Sequence, residues 1–201
     1  MTCAPYHRRQ SGVALIEVLV TLLILMLGLL GLAGVSSRAN MTELESFQRI
    51  RALQLAQDMA SRLDANRKVA SCYSNGQTGV ELGTGKGNTG VPACTTGSDQ
   101  EKAQVAADLT SWDNQIKGEA ETLGTDKVGA MIGAIGCITL DNPANNTYLI
   151  AVSWQGLVAT VAPTIDGESG AEPFPCGHGA YGDDDRLHRV VTTKVQIGDL
   201  S

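Results

Sequence analysis

Between Val13 and Ser37 the chain is an almost unbroken apolar run, VALIEVLVTLLILMLGLLGLAGVSS, in which Glu17 is the only charge. At about 1.5 Å per residue, a helix of this length crosses a hydrocarbon layer about 30 Å thick. The pattern therefore predicts a membrane-inserted helix. From Arg38 to about Lys68 strong helix formers continue without proline, so the helix is expected to run on into solvent. At 100° per residue Ala52, Leu53, Leu55, Ala56, Met59, Ala60 and Leu63 fall on one arc. Arg51, Gln54, Gln57, Asp58, Ser61, Arg62 and Asp64 fall on the other. One face of this half is built to be covered.

The covering must come from the remainder, which is polar, rich in glycine and too short for two substantial domains. Cys72 to Gly97 reads as loop, punctuated by six glycines from Gly76 to Gly90. A second helix is predicted from about Gln100 to Leu123, with Val105, Leu109, Trp112 and Ile116 at helical spacing and Trp112 as a core anchor. Strand composition then takes over in Cys137–Leu140, Tyr148–Gln155 and Val190–Ile197, the first two joined by the turn-forming 141–146. Alternation puts Tyr148, Ile150, Val152 and Trp154 on one face, matched by Val191, Thr193, Val195 and Ile197. The expected fold class is α+β: a long N-terminal helix packed on a small antiparallel sheet.

A carboxylate near the start of a membrane helix costs roughly 2.5–3.5 kcal/mol or more, so Glu17 calls for a partner. The residues before the span include His7, Arg8 and Arg9 and no acid, which places the N-terminus in the cytoplasm and the bulk of the chain across the membrane. The segment Ser11-Gly12-Val13-Ala14-Leu15-Ile16-Glu17-Val18-Leu19-Val20 closely resembles the class III signal of type IV pilins and pseudopilins. That resemblance implies a prepilin peptidase cutting between Gly12 and Val13 and methylation of the new Val13 amine. The family usually carries Phe where Val13 stands. With the leader gone, the amine of one subunit can neutralise Glu17 of its neighbour, so the charge favours assembly and sets register.

Read this way, the chain comprises a leader (1–12), a membrane and assembly half of the helix (13–37), an amphipathic half (38–68) and a periplasmic head (69–201). Leu27–Gly34, Ala52–Ala60, Arg62–Arg67, Asp108–Trp112 and Trp154-Gln155-Gly156 look more narrowly like the minor pilins described as type IV pilus modification proteins. The resemblance implies a non-enzymatic subunit without cofactor, in few copies, that helps initiate or cap a pilus and so supports adhesion, twitching motility or DNA uptake. Its implied partners are other minor pilins, the major pilin, the prepilin peptidase and the inner membrane, with the pilus as final location. A type II secretion pseudopilin shares the signal. A membrane-anchored periplasmic enzyme or binding protein is the rival from another class and would keep residues 1–12. A conventional secretory signal has a shorter apolar core without an acid.

Cys3 lies in the leader, which leaves Cys72, Cys94, Cys137 and Cys176 as an even set for an oxidising compartment. Four cysteines allow three pairings; nearest neighbours, Cys72 with Cys94 and Cys137 with Cys176, are preferred. Cys176-Gly177-His178 with His188 suggests a thiol nucleophile or metal site, but paired-cysteine zinc spacing is missing and periplasmic thiols are usually oxidised. No metal is therefore expected. Asp183, Asp184 and Asp185 lack calcium-loop spacing and read as a solvated acidic turn. Gly85-Lys86-Gly87 lacks the first glycine and the Ser/Thr of a phosphate loop. The formal charge of −6, more acidic once Arg8 and Arg9 are removed, argues against direct nucleic-acid binding by the head.

Overall fold

Uninterrupted helix formers produce one helix, α1, over Leu15–Ala65. The computed structural model describes residues 15–119, 122–123, 126–127, 131–167 and 170–198. Gly12, Val13 and the rest of the leader lie outside these. The chain forms two compact units, the first ending at Leu44 and the second running Glu45–Ser201. The described part of the first is α1 alone, with every residue exposed.

In the second unit the rest of α1 is followed by a 3₁₀ turn, Arg67–Val69, and a single helical turn α2, Ala70–Tyr73. After these come β1 (Val80–Gly83), α3 (Asp99–Ile116), β2 (Thr122–Leu123), β3 (Asp126–Lys127), β4 (Ile135–Asn142), β5 (Thr147–Gln155), β6 (Thr164–Gly167), β7 (Gly170–Pro173) and β8 (His188–Gln196). The main sheet is antiparallel in the order β1-β4-β5-β8, and β2-β3 and β6-β7 are small separate ribbons.

Register follows the alternation of apolar residues. Ile138 stands opposite Ile150, Val152 opposite Val191 and Tyr148 opposite Val195, all turned to the helices. A one-residue slip would expose the whole set. Ala52, Leu55, Ala56, Met59 and Leu63 from α1 meet them and are buried, and Leu53 and Ala60 pack at the edge of the same core. The expected arc of α1 is thus its buried face.

Trp112 holds α3 between α1 and the sheet. It is fully buried, and its Nε1–H donates to the Leu55 carbonyl at 2.9 Å. Gly136 admits the indole: a Cβ there would lie 2.5 Å from the ring atom Cη2. A polar network ties the helices where apolar contacts end. Tyr73 donates to Asp108 Oδ2 at 2.6 Å, Arg62 and Gln104 donate to its Oδ1 at 3.1 and 2.9 Å, and Arg62 also grips Asp58 at 2.9 Å. Burial, then the bond to Asp108, push the Tyr73 hydroxyl above its ordinary value, so it stays a neutral donor.

Two expectations need correction. The 72–97 stretch is not all loop: Val80 and Leu82 face the core while their backbone pairs with β4, making β1 an edge strand. Four residues among glycines carry too little pattern to show this, and the partner strand supplies the order. The second helix begins at Asp99 and stops at Ile116, short of Leu123. Ser98 and Glu101 close a capping box (Ser98 N to Glu101 Oε2, 2.8 Å). Gly118, at φ 81°, turns the chain out beyond the C-terminus.

Replacing Trp112 with Phe removes the bond to Leu55 and part of the packing against Gly136. The expected loss is about 1–3 kcal/mol of head stability. Thermal unfolding of the full chain in detergent measures it, and an unchanged midpoint would contradict the anchoring role.

Candidate functional site

Leu15–Val35 of α1 contains two side chains with polar atoms, Glu17 and Thr21. Thr21 settles its hydroxyl within the helix by donating to the Val18 carbonyl at 2.9 Å. Glu17 lies in the first turn, where the helix dipole favours an anion. Among the described residues no cation and no hydrogen-bond donor reaches its carboxylate.

Around it Leu15, Ile16, Leu19, Leu22, Leu25 and Met26 are each more than half exposed, and apolar side chains surround the helix on every side. A helix apolar all round belongs in lipid or in the middle of a bundle. It is the one described helix long and apolar enough to cross a membrane. Gly28, Gly31 and Gly34 have nothing within 4 Å of where a Cβ would sit, so their backbone is open to close approach. The processing residues Gly12 and Val13 fall outside the described residues. Here the site is Glu17 and the apolar surface that follows it.

The head offers a second cluster, and its chemistry is structural. Cys72 is bonded to Cys94 and Cys137 to Cys176, with Cα separations of 5.1 and 5.9 Å. Cys176 is therefore not a free thiol. Its bridge binds the 174–188 loop to the outer face of the sheet, where Phe174, Cys176 and Tyr181 build a second core with Ile135, Cys137 and Ala151. Nothing in the sequence pattern pointed to this core.

Beneath that loop Ser153 Oγ lies 3.1 Å from His188 Nε2, a spacing familiar from nucleophilic hydrolases. The proton runs the wrong way. Ser153 donates to the Cys176 carbonyl at 2.7 Å, so its oxygen must accept from Nε2–H, and the imidazole directs no lone pair at the serine that could take its proton. Both side chains are buried, at 0 % and 2 % exposure, so a substrate cannot reach them.

The acidic turn also differs from expectation. Asp183 and Asp184 are exposed, but Asp185 is buried at φ 51° and receives His178 Nδ1 at 2.6 Å and Gly179 N at 2.8 Å. Burial pushes its carboxyl up, but Gly179 and His178 outweigh it and hold it below its ordinary value. Among the described residues no group of three or more His, Cys, Asp or Glu side chains is placed to hold a metal.

Arg189 was not singled out from sequence and is central to the lower head. It pairs with Glu45 at 3.2 Å and donates to the Val158 carbonyl and, at 2.7 Å, to Thr160 Oγ1, tying β8 and the 157–160 loop to α1. A lone arginine in a strand gives no sign of a partner 144 positions away.

The prokaryotic N-terminal methylation motif matches residues 7–33 of the chain. No curated relative and no solved structure matches it. The motif and the apolar helix together fit a membrane-anchored protein of the type IV pilin or pseudopilin kind, processed by a prepilin peptidase and assembled with other pilins.

Burial holds the His188 imidazole below its ordinary value of 6.5, a shift that the Asp185 charge opposes without reversing. Below about pH 6.5 the unfolded chain takes up the proton more readily, so stability falls with pH by at most about 1.4 kcal/mol per unit until the folded imidazole also protonates. Asp185 adds its own loss only below about pH 3.8. Unfolding midpoints between pH 7 and 5 should therefore drop for the parent and drop less for His188→Gln. Equal slopes would contradict the assignment.

Proposed function

We propose that this chain is a minor pilin of the PilV type, a few-copy subunit that helps initiate or cap a type IV pilus and so supports adhesion, twitching motility or DNA uptake. The observation that carries the reading is Glu17, without a partner among the described residues, in an apolar helix whose first part lies within the matched methylation motif, residues 7–33. The prepilin peptidase removes residues 1–12, and Val13 becomes the methylated N-terminus. That amine lies about one helical turn before Glu17 and neutralises the carboxylate of an adjacent subunit.

Before assembly the helix spans the inner membrane with the head in the periplasm. During assembly it leaves lipid for a bundle of other pilin helices, exchanging lipid contacts for helix contacts. The partners are other minor pilins and the major pilin. Cys72–Cys94 and Cys137–Cys176 suit an oxidising periplasm and hold the loops of the head during the passage. The chain itself catalyses nothing and needs no cofactor, and its acidic balance leaves DNA contact to another subunit.

Mass spectrometry of the native N-terminus tests the processing step. A chain beginning at methylated Val13 is expected, and an intact 1–12 leader would overturn the reading. Glu17→Gln tests the assembly step. Membrane insertion should be unchanged or improved, because a charge costing roughly 2.5–3.5 kcal/mol in lipid is gone. Recovery of the subunit in sheared pili should fall, and undiminished recovery would contradict the pairing.

A further inference from the structure

The outer face of the sheet is only partly covered by the 174–188 loop. Between that loop and β1 lies a cavity of about 240 Å³ with Leu149, Ala151 and Phe174 among its walls and Thr89 and Thr139 beside them. A second cavity of about 430 Å³, bordered by Lys86, His178 and Tyr181, shares Glu81, Gly87 and Pro175 with the first.

Glu81 stands where the two meet. It leaves β1 on the outer face, opposite Cys137, and the 85–87 loop folds against its carboxylate. Glycines at 85 and 87 leave room for this approach. A Cβ on Gly85 would lie 3.1 Å from Glu81 Oε1, and one on Gly87 would lie closer than any real Cβ contact allows. Among the described residues no donor hydrogen-bonds to the carboxylate and no cation lies within the 4 Å of an ion pair, Lys86 included. Burial alone shifts its carboxyl, upward.

A carboxylate that has lost part of its hydration to burial and receives neither donor nor cation from the described residues is electrostatically incomplete. A cationic ligand would complete it. The walls next to it are mainly apolar, with the hydroxyls of Thr89 and Thr139 among them, so the ligand's body should be mainly apolar too. An apolar cavity of about 150 Å³ holds a benzene ring, and the smaller cavity here adds room for a short arm.

We propose that Glu81 anchors a binding site for a small aromatic or alkyl amine, its ammonium on the carboxylate and its apolar body against Leu149, Ala151 and Phe174. The glycines at 85 and 87 shape the charged end. Leu149 and Ala151, side by side on β5, shape the apolar end.

The test uses the full chain in lipid nanodiscs with labelled Leu and Ala methyl groups. Phenethylamine is titrated at pH 7 against its neutral counterpart 2-phenylethanol. Saturable shifts of the Leu149 and Ala151 methyls are expected with the amine, at an affinity about tenfold or more above that of the alcohol. Glu81→Gln should weaken the amine about tenfold or more. Leu149→Trp, which fills the apolar end and keeps the charge, should weaken it similarly. Equal binding of amine and alcohol, undiminished binding to Glu81→Gln, or no saturable shift with the parent would each overturn the proposal.

Discussion

Glu17 places a carboxyl group near the start of a segment whose other exposed side chains are almost all apolar, and the chain supplies it with no counter-charge among the described residues. Thr21, the other polar side chain of the 15–35 stretch, is satisfied by its own helix. The contrast separates two kinds of polar residue in an apolar helix. A hydroxyl can be satisfied by its own helix backbone, whereas a carboxylate needs a donor or cation that the helix backbone does not supply. The all-round apolar surface and the open backbone at Gly28, Gly31 and Gly34 belong to the same design, since both are useful only against lipid or a neighbouring helix.

The head answers a different constraint. Past Glu45, α1 becomes one-sided, and the sheet and α3 bury its apolar arc. Trp112 is the piece that lets three layers share one core: it fills the space beside Gly136 and bonds to the backbone of α1. Where packing gives way to solvent, charge takes over. Arg62, Asp108 and Tyr73 join the helices at one end, and Glu45 with Arg189 ties α1 to the sheet at the other. The two disulfides serve opposite faces, Cys72–Cys94 beside the helix-facing core and Cys137–Cys176 within the outer one.

Much of this could be read from residue order. The membrane-length run, the covered arc from Ala52 to Leu63 and the alternating faces of β5 and β8 are local periodicities; burial follows the arc and β8, whereas in β5 Ala151 and Ser153 are buried too, because the 174–188 loop covers the outer face there. The boundaries of α3 were also readable, in Ser98-Asp99-Gln100-Glu101 and in Gly118, but the apolar stripe alone overran them. β1 was hidden because Val80-Glu81-Leu82-Gly83 pairs with β4 more than fifty residues away.

Local pattern was enough for the helix, its lone acid, the antiparallel sheet and which faces of each are apolar, because those properties depend on spacing within a few turns or one strand. Folding decided the rest. It made Asp185 a buried acceptor for His178 and Gly179, sent the Ser153 proton to the Cys176 carbonyl, brought Arg189 to Glu45 and set the Glu81 carboxylate against two glycines with no partner among the described residues. The state of each of these groups is set by what lies within about 4 Å of it in space. Some of these neighbours come from chain positions far apart, as Ser153 and His188 or Glu45 and Arg189 do, and others from loops whose course is set by the rest of the fold, so no short-range pattern records them.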